Sequence, residues 1–332
     1  MEQAFRSVAK ALQTRRDIRD FLKSEEPIKD LFDLDLPIEK SRANLYRSLY
    51  NGVGNTPSHR VDLGNNNVLI IKQEHCNALG HNHYARFWLP YLFLAETFNV
   101  IKPSETKILE VTSGSAGISL AMACEKLDYH LTMIAPKLLP DERIQPIIDT
   151  GATLVRTDGY IDSCIEKLQE MKSEKYFLAD HSMEASNFAV HSFSRIAVEY
   201  NAENGVPDYC VAGVGNGTST EGIFLAIRRT SEQVKLLAYH PEPDGKQVVF
   251  GLYNMDVKLR HVPIALSKAD KVFYTNGIDL TDTLKKFEND PIISNLGVSS
   301  LYGVALANIL SQGQEGKSFM TVGYDTKDRY HL

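Results

Sequence analysis

Cysteine is scarce in this chain: Cys76, Cys124, Cys164 and Cys210 lie far apart and form no CxxC pair. That scarcity excludes a disulfide scaffold, and the thiols read as reduced and mostly buried, as in a cytoplasmic protein. Long apolar runs are missing too. No stretch approaches the roughly 20 residues that span a bilayer, and Met1-Glu2-Gln3-Ala4-Phe5-Arg6 has no apolar signal core behind it. No membrane role and a cytoplasmic location are therefore expected. There is no dense basic stripe, and the formal net charge is -6, which argues against nucleic acid as a partner. With 43% hydrophobic and 23% charged residues, neither disorder nor low complexity fits. A chain of 332 residues can bury a substantial core, as one domain or as two lobes around a cleft.

Residues 1–50 read as helical and charged. Ala11, Ile18, Phe21 and Leu22 fall on one helical face, which suits packing on the same chain or against another subunit. After Gly52-Val53-Gly54-Asn55-Thr56-Pro57 short apolar strands alternate with amphipathic helices. Val68–Ile71, Lys107–Val111, Leu131–Ala135, Ala152–Val155, Tyr209–Gly213 and Lys235–Tyr239 read as strands, Ile118–Leu127 and Gln145–Asp149 as helices. That pattern indicates α/β lobes with parallel sheets covered on both faces, whose ligands bind at the carboxyl ends of strands.

Three loops at such positions could hold chemistry. Thr112-Ser113-Gly114-Ser115-Ala116-Gly117 joins a strand to a helix; its glycines allow close backbone approach, and the helix start favours a carboxylate or phosphate. A plain turn capped by serine fits the same residues. Gly213-Val214-Gly215-Asn216-Gly217-Thr218-Ser219 follows another strand and reads as a phosphate cup, with a tight structural turn as the alternative. It is no dinucleotide fingerprint, because Thr218 replaces the last glycine, and no P-loop. Gly297-Val298-Ser299-Ser300 enters a third helix and by itself reads as a cap.

In this order the segments resemble fold type II pyridoxal-phosphate enzymes, the group of O-acetylserine sulfhydrylase, cystathionine β-synthase, threonine synthase and the tryptophan synthase β subunit. Asn55-Thr56-Pro57 is similar to the family's opening G-x-T-P, 112–117 to its T-S-G-N-T-G, 213–222 to G-x-G-T-G-G-T-x-x-G, 297–300 to G-I-S-S, and 323–330 to the closing D-S-G-x-R-Y. The resemblance implies a tryptophan synthase β-like α/β fold. It implies a large lobe of 51–86 with 196–332, a small lobe of 87–195, a helical extension of 1–50, and a homodimer. It implies pyridoxal phosphate (PLP) held by Gly213, Gly215, Asn216, Gly217, Thr218 and Ser219, with Ser299 at the pyridine nitrogen. The substrate carboxylate would be received by Thr112, Ser113, Gly114, Ser115 and Ala116, and the ligand would be an amino acid.

Two departures stand out. The family's N-P-x-x-S-x-K-D-R supplies the lysine that binds PLP covalently; here the run is Glu74-His75-Cys76-Asn77-Ala78-Leu79-Gly80-His81-Asn82-His83-Tyr84-Ala85-Arg86. Counting from Asn77 puts His83 at the lysine position, and counting back from Arg86 puts Tyr84 there. No lysine lies between Lys72 and Lys102. Neither imidazole nor phenol forms an imine, though either can move a proton. Lys72, on the preceding strand, reads as structural. Ser115, moreover, stands where the family has an asparagine at the cofactor's phenolic oxygen.

Four functions follow as alternatives. An altered lyase or synthase would hold PLP without a covalent bond and use His83 or Tyr84 for proton transfer. A noncatalytic relative, favoured by the missing lysine and the altered Ser115, would act as a regulatory or interaction partner. A metal site from His75, Cys76, His81 and His83 has suitable ligand types but no standard spacing, so no metal is expected. An ordinary lyase or synthase would need a lysine from an unexpected element.

Overall fold

The computed structural model describes residues 15–24, 26, 28–173, 175–183, 185–242, 247–253 and 259–329. Ten strands follow one another in the described chain: β1 (Ser58–Gly64), β2 (Asn67–Lys72), β3 (Lys107–Val111), β4 (His130–Pro136), β5 (Thr153–Thr157), β6 (Tyr176–Leu178), β7 (Tyr209–Gly213), β8 (Lys235–His240), β9 (Lys271–Tyr274) and β10 (Ser318–Val322). They fall into two compact units, 1–54 with 77–192 and 55–76 with 193–332.

The first unit carries a four-stranded sheet in the order β5-β4-β3-β6, every pair parallel. Parallel strands need covered faces. Leu109, Val111, Ile134 and Leu178 of this sheet meet Cys164 and Leu168 from helix Ile161–Met171 in one apolar cluster. Helices Arg16–Lys23 and Lys40–Tyr50 belong to this unit as well. Ile18 and Phe21 are buried, and Phe32 packs edge-on against Phe93 at 4.9 Å. Of the four residues read as one helical face, Ile18 and Phe21 are buried, while Ala11 and the Leu22 side chain lie outside what the structure describes.

The second unit has six strands in the order β1-β2-β10-β7-β8-β9. β1 and β2 form an antiparallel hairpin, and the remaining pairs are parallel. Asn65 and Asn66 take φ of 52° and 58° in the hairpin turn, a conformation asparagine tolerates and a right-twisted two-residue turn demands. Leu69, Ile71, Val211, Tyr239 and Phe319 from the sheet pack with Leu301, Val304 and Ala305 of helix Val298–Ser311.

The division differs from the one the resemblance implied. Residues 77–86 cluster with the four-stranded unit rather than with the large lobe, and so does the chain up to Gly54. Hydrogen bonds explain the placement of 77–86: Asn77 Oδ1 accepts from the Gly54 N–H at 2.8 Å, and Asn82 donates to Ser115 O at 3.0 Å. No described helix is long and apolar enough to cross a membrane.

Arg42 ties the N-terminal helices down. Its guanidinium bonds both oxygens of Glu96 at 2.6 and 2.8 Å, and the phenols of Tyr46 and Tyr129 donate to Glu96 Oε2. Burial alone would raise the Glu96 carboxyl, but the bonds from Arg42, Tyr129 and Tyr46 outweigh it and hold the carboxyl below its ordinary value. A depressed carboxyl stabilises the fold above its unfolded pKa, and that contribution is lost as pH falls through the folded value. Glu96→Gln should therefore lower stability by about 3 kcal/mol at neutral pH. In urea unfolding the gap from wild type should narrow on acidification.

Candidate functional site

In the six-stranded unit, β8 and β9 extend from one side of β7 while β10 lies on the other. Such a reversal opens a crevice at the carboxyl ends of the strands. The loop 214–217 leaves β7 at this point and enters helix Thr218–Thr230. Gly217 has φ +88°, and a Cβ there would come within 2.4 Å of the His261 carbonyl; a Cβ on Gly215 would lie 2.6 Å from Gly251 O. Asn216 Oδ1 accepts from the N–H and the hydroxyl of Thr218 at 3.1 and 2.7 Å, so these side chains shape the loop. Among the described residues the N–H groups of Gly215 and Gly217 have no partner. Donors of this kind at a helix start suit an anion.

Ser219 and Ser299 are both buried beside the loop. Ser299 Oγ lies 3.9 Å from where a Cβ of Gly251 would stand, so Ser299 and Gly215 flank the same residue. Tyr239 fixes the Ser299 backbone by donating to its carbonyl at 2.7 Å. Tyr324, just after β10, brings a phenol to Ser219 and the Gly213 backbone; burial above all raises its pKa. Glu221, in the first turn of the loop's helix, has its carboxylate 2.6 Å from His261 Nδ1.

The four-stranded unit has its own reversal: β4 and β5 lie on one side of β3, and β6 on the other. The loop after β3 depends on Gly114, whose φ of 130° and ψ of −85° suit only glycine. A Cβ there would also meet Arg143 Nε at 2.4 Å. Thr112 Oγ1 accepts the N–H groups of Gly114 and Gly117, both at 2.9 Å, so its hydroxyl builds the loop. Buried Arg143 reaches Ser113 O and Ser115 Oγ at 3.3 Å each. Trp88 donates its indole N–H to Ala116 O at 2.9 Å.

His83 and Tyr84 sit beside this loop at the start of helix Ala85–Thr97, their ring centroids 4.3 Å apart. Asn82 Oδ1 accepts the Tyr84 N–H at 2.9 Å and the Ser119 hydroxyl at 2.8 Å, which locks the turn. Burial, reinforced by the Glu110 carboxylate, pushes the Tyr84 phenol well above its ordinary pKa. Tyr84 therefore stays neutral and can donate a hydrogen bond. The structure thus gathers Thr112 to Ala116, His83 and Tyr84 in one unit, and Gly213 to Ser219 with Ser299 in the other.

Lys72 is the one buried lysine among the described residues. Its Nζ donates to Thr56 O and lies 3.2 Å from Glu203 and 3.7 Å from Glu199. Among the described residues no group of three or more His, Cys, Asp or Glu is placed to hold a metal ion.

A model of the family of pyridoxal-phosphate dependent enzymes matches residues 49–271. The chain belongs to this family. It is 28% identical over 286 residues to cysteine synthase A of Escherichia coli K12, a match covering 80% of this chain and 86% of that protein. It is 30% identical over 203 residues to the cysteine synthase of Buchnera aphidicola, covering 59% of this chain and 64% of that protein. A solved hydrogen sulfide-producing enzyme from Fusobacterium nucleatum has a TM-score of 0.76 at 24% identity, covering 85% of this chain and 98% of that one. That likeness concerns the fold, and the fold is the α/β type expected from the sequence.

Pyridoxal phosphate is the cofactor of the family, and the loop at 213–219 fits its phosphate: partnerless N–H groups, a serine hydroxyl and no Cβ in the way. Spacing did not reveal Tyr324, Arg143, Glu110 or His181. Tyr324 lies in the closing segment 323–330, to which the resemblance gave no site role, and Arg143, Glu110 and His181 belong to no motif. Gly217→Ala should weaken PLP binding by at least about tenfold, since the methyl forces the loop off the His261 carbonyl. Gly64→Ala, also at positive φ but with nothing within 4 Å of its Cβ, should leave PLP affinity unchanged in the same fluorescence titration.

Proposed function

We propose that this protein binds PLP, or its adduct with an amino acid, without a covalent lysine bond, and acts on the amino acid by elimination or replacement at its β carbon. One observation carries the reading. The phosphate cup keeps the glycines that only a close backbone approach requires, while the one buried lysine among the described residues, Lys72, is tied to Thr56 O and Glu203. PLP supplies an electron sink for charge that develops at the amino-acid Cα.

The chain's residues have separable tasks in this reading. The N–H groups of Gly215 and Gly217 and the Ser219 hydroxyl hold the phosphate, and Ser299 meets the pyridine nitrogen. Backbone donors of 113–116 receive the amino-acid carboxylate, with Arg143 supporting their loop. Tyr84 donates a hydrogen bond, and His83 shares the handling of protons. The family resemblance adds a homodimer.

A second reading, a noncatalytic relative serving as an interaction partner, is favoured by Ser115. Its Oγ lies 3.3 Å from Arg143 Nη2, so the hydroxyl at the place of the family's asparagine is already engaged.

Purified protein mixed with PLP should develop a bound-aldehyde absorbance. Borohydride should then leave no PLP mass on the protein. A lysine adduct in the intact mass would overturn the noncovalent reading. Lys72→Met should lower the melting temperature and leave the PLP absorbance in place; loss of the absorbance with the fold intact would make Lys72 a cofactor residue.

A further inference from the structure

Two stretches of chain back the phosphate cup, and each is tied to it differently. Gly251 O stands 2.6 Å from where a Cβ of Gly215 would lie, and Tyr253, two residues on, donates its backbone N–H to Val214 O at 2.7 Å. The second stretch is the start of helix His261–Lys268. A Cβ on Gly217 would come within 2.4 Å of the His261 carbonyl carbon and oxygen and 2.6 Å of the Val262 nitrogen. The peptide group between 261 and 262 therefore rests directly on the glycine. Here the tie is a pair of side chains, His261 Nδ1 lying 2.6 Å from Glu221 Oε2.

Three contacts close a ring. The Glu221 N–H donates to Gly217 O at 2.9 Å, the Glu221 carboxylate holds the His261 imidazole, and the His261 carbonyl covers Gly217. Every member belongs to the unit that carries the cup. Both side chains are buried. A carboxylate only accepts, so Nδ1 carries the proton, and a charge-assisted bond of this kind is among the stronger ones. Packing alone gives no reason for the pair, because apolar residues of similar volume fill such a place at equal or lower cost. Glu221 also stands in the first turn of helix Thr218–Thr230, where an acid competes with a bound anion for the positive end. The bond to His261 gives that charge a partner on the neighbouring helix.

We propose that Glu221 and His261 are positioning residues for the phosphate. They clamp helix His261–Lys268 onto Gly217, fix the direction of the Gly217 N–H, and couple occupancy of the cup to that helix. The inference rests on the PLP reading above. Neither side chain is a ligand of the phosphate in this scheme. An anion that holds Gly217 steadies Glu221 through the helix turn, and His261 through Glu221.

Amide hydrogen exchange read by mass spectrometry tests the coupling. In wild type, saturating PLP should slow exchange by at least about fivefold both in 214–222 and in 261–268, and inorganic phosphate should act in the same direction. Glu221→Leu should weaken PLP binding by at least about tenfold; at saturation, protection should persist in 214–222 and disappear from 261–268. Glu221→Gln, whose amide oxygen still accepts from the imidazole, should bring affinity back to within about threefold of wild type and restore protection of both segments. His261→Phe carries the same prediction as Glu221→Leu and replaces it where that variant does not fold. A pair that serves the fold alone would lower the melting temperature of Glu221→Leu yet leave PLP affinity and the protection pattern as in wild type; that result would overturn the proposal. So would a wild type in which PLP protects 214–222 and not 261–268. A wild type that takes up no PLP, yet shows both segments protected by inorganic phosphate, would remove the PLP reading and leave the clamp standing. Protection by neither compound would remove both.

Discussion

Both candidate loops depend on backbone packed so close to its neighbours that no side chain can intervene. Gly217 lies against the His261 carbonyl, Gly215 against Gly251 O, and Gly114 against the Arg143 guanidinium. Two of these glycines also adopt backbone angles that other residues avoid. Around them the sequence places small hydroxyl residues that bond their own loop, as Thr112 and Thr218 do. The N–H groups left over at Gly215 and Gly217 stand at a helix start, a position that suits an anion. That the geometry occurs twice, each time where strand order reverses, follows from how parallel sheets are wound.

The absence of a lysine from 73 to 101 leaves phosphate binding physically intact, because cup and amine are separate pieces of chemistry. What changes is residence and proton transfer. A ligand held by hydrogen bonds exchanges with solvent, and a neutral phenol beside Glu110 cannot serve as the base.

Much of this was legible in the residues. β3 and β7 occupy the segments read as strands, and β2, β4, β5 and β8 differ from their readings by a residue or two, since uninterrupted apolar runs mark strands buried on both faces. β10 escaped notice although it is central. Its Ser318 and Thr321 break the apolar run, and their polarity is satisfied inside the fold, Thr321 donating to Val211 O at 3.0 Å. β6 has three residues and β9 four, too short for any period to show. The candidate loops were visible because glycine and hydroxyl density is local. Glu110 and His181 were not, since 71 positions separate them and only the pairing of β3 with β6 brings them together. The unit boundary at Asn77 likewise depends on hydrogen bonds from Asn77 and Asn82 that no spacing rule encodes.

The central claim is that the phosphate cup, without a covalent bond, holds the cofactor. Equilibrium dialysis of the protein against PLP and, separately, against pyridoxal tests it most directly. PLP should be retained with saturable, stoichiometric binding and should leave on further dialysis into plain buffer, while pyridoxal, lacking the phosphate, should show no saturable binding. Equal retention of the two compounds, or PLP that survives exhaustive dialysis, would contradict it.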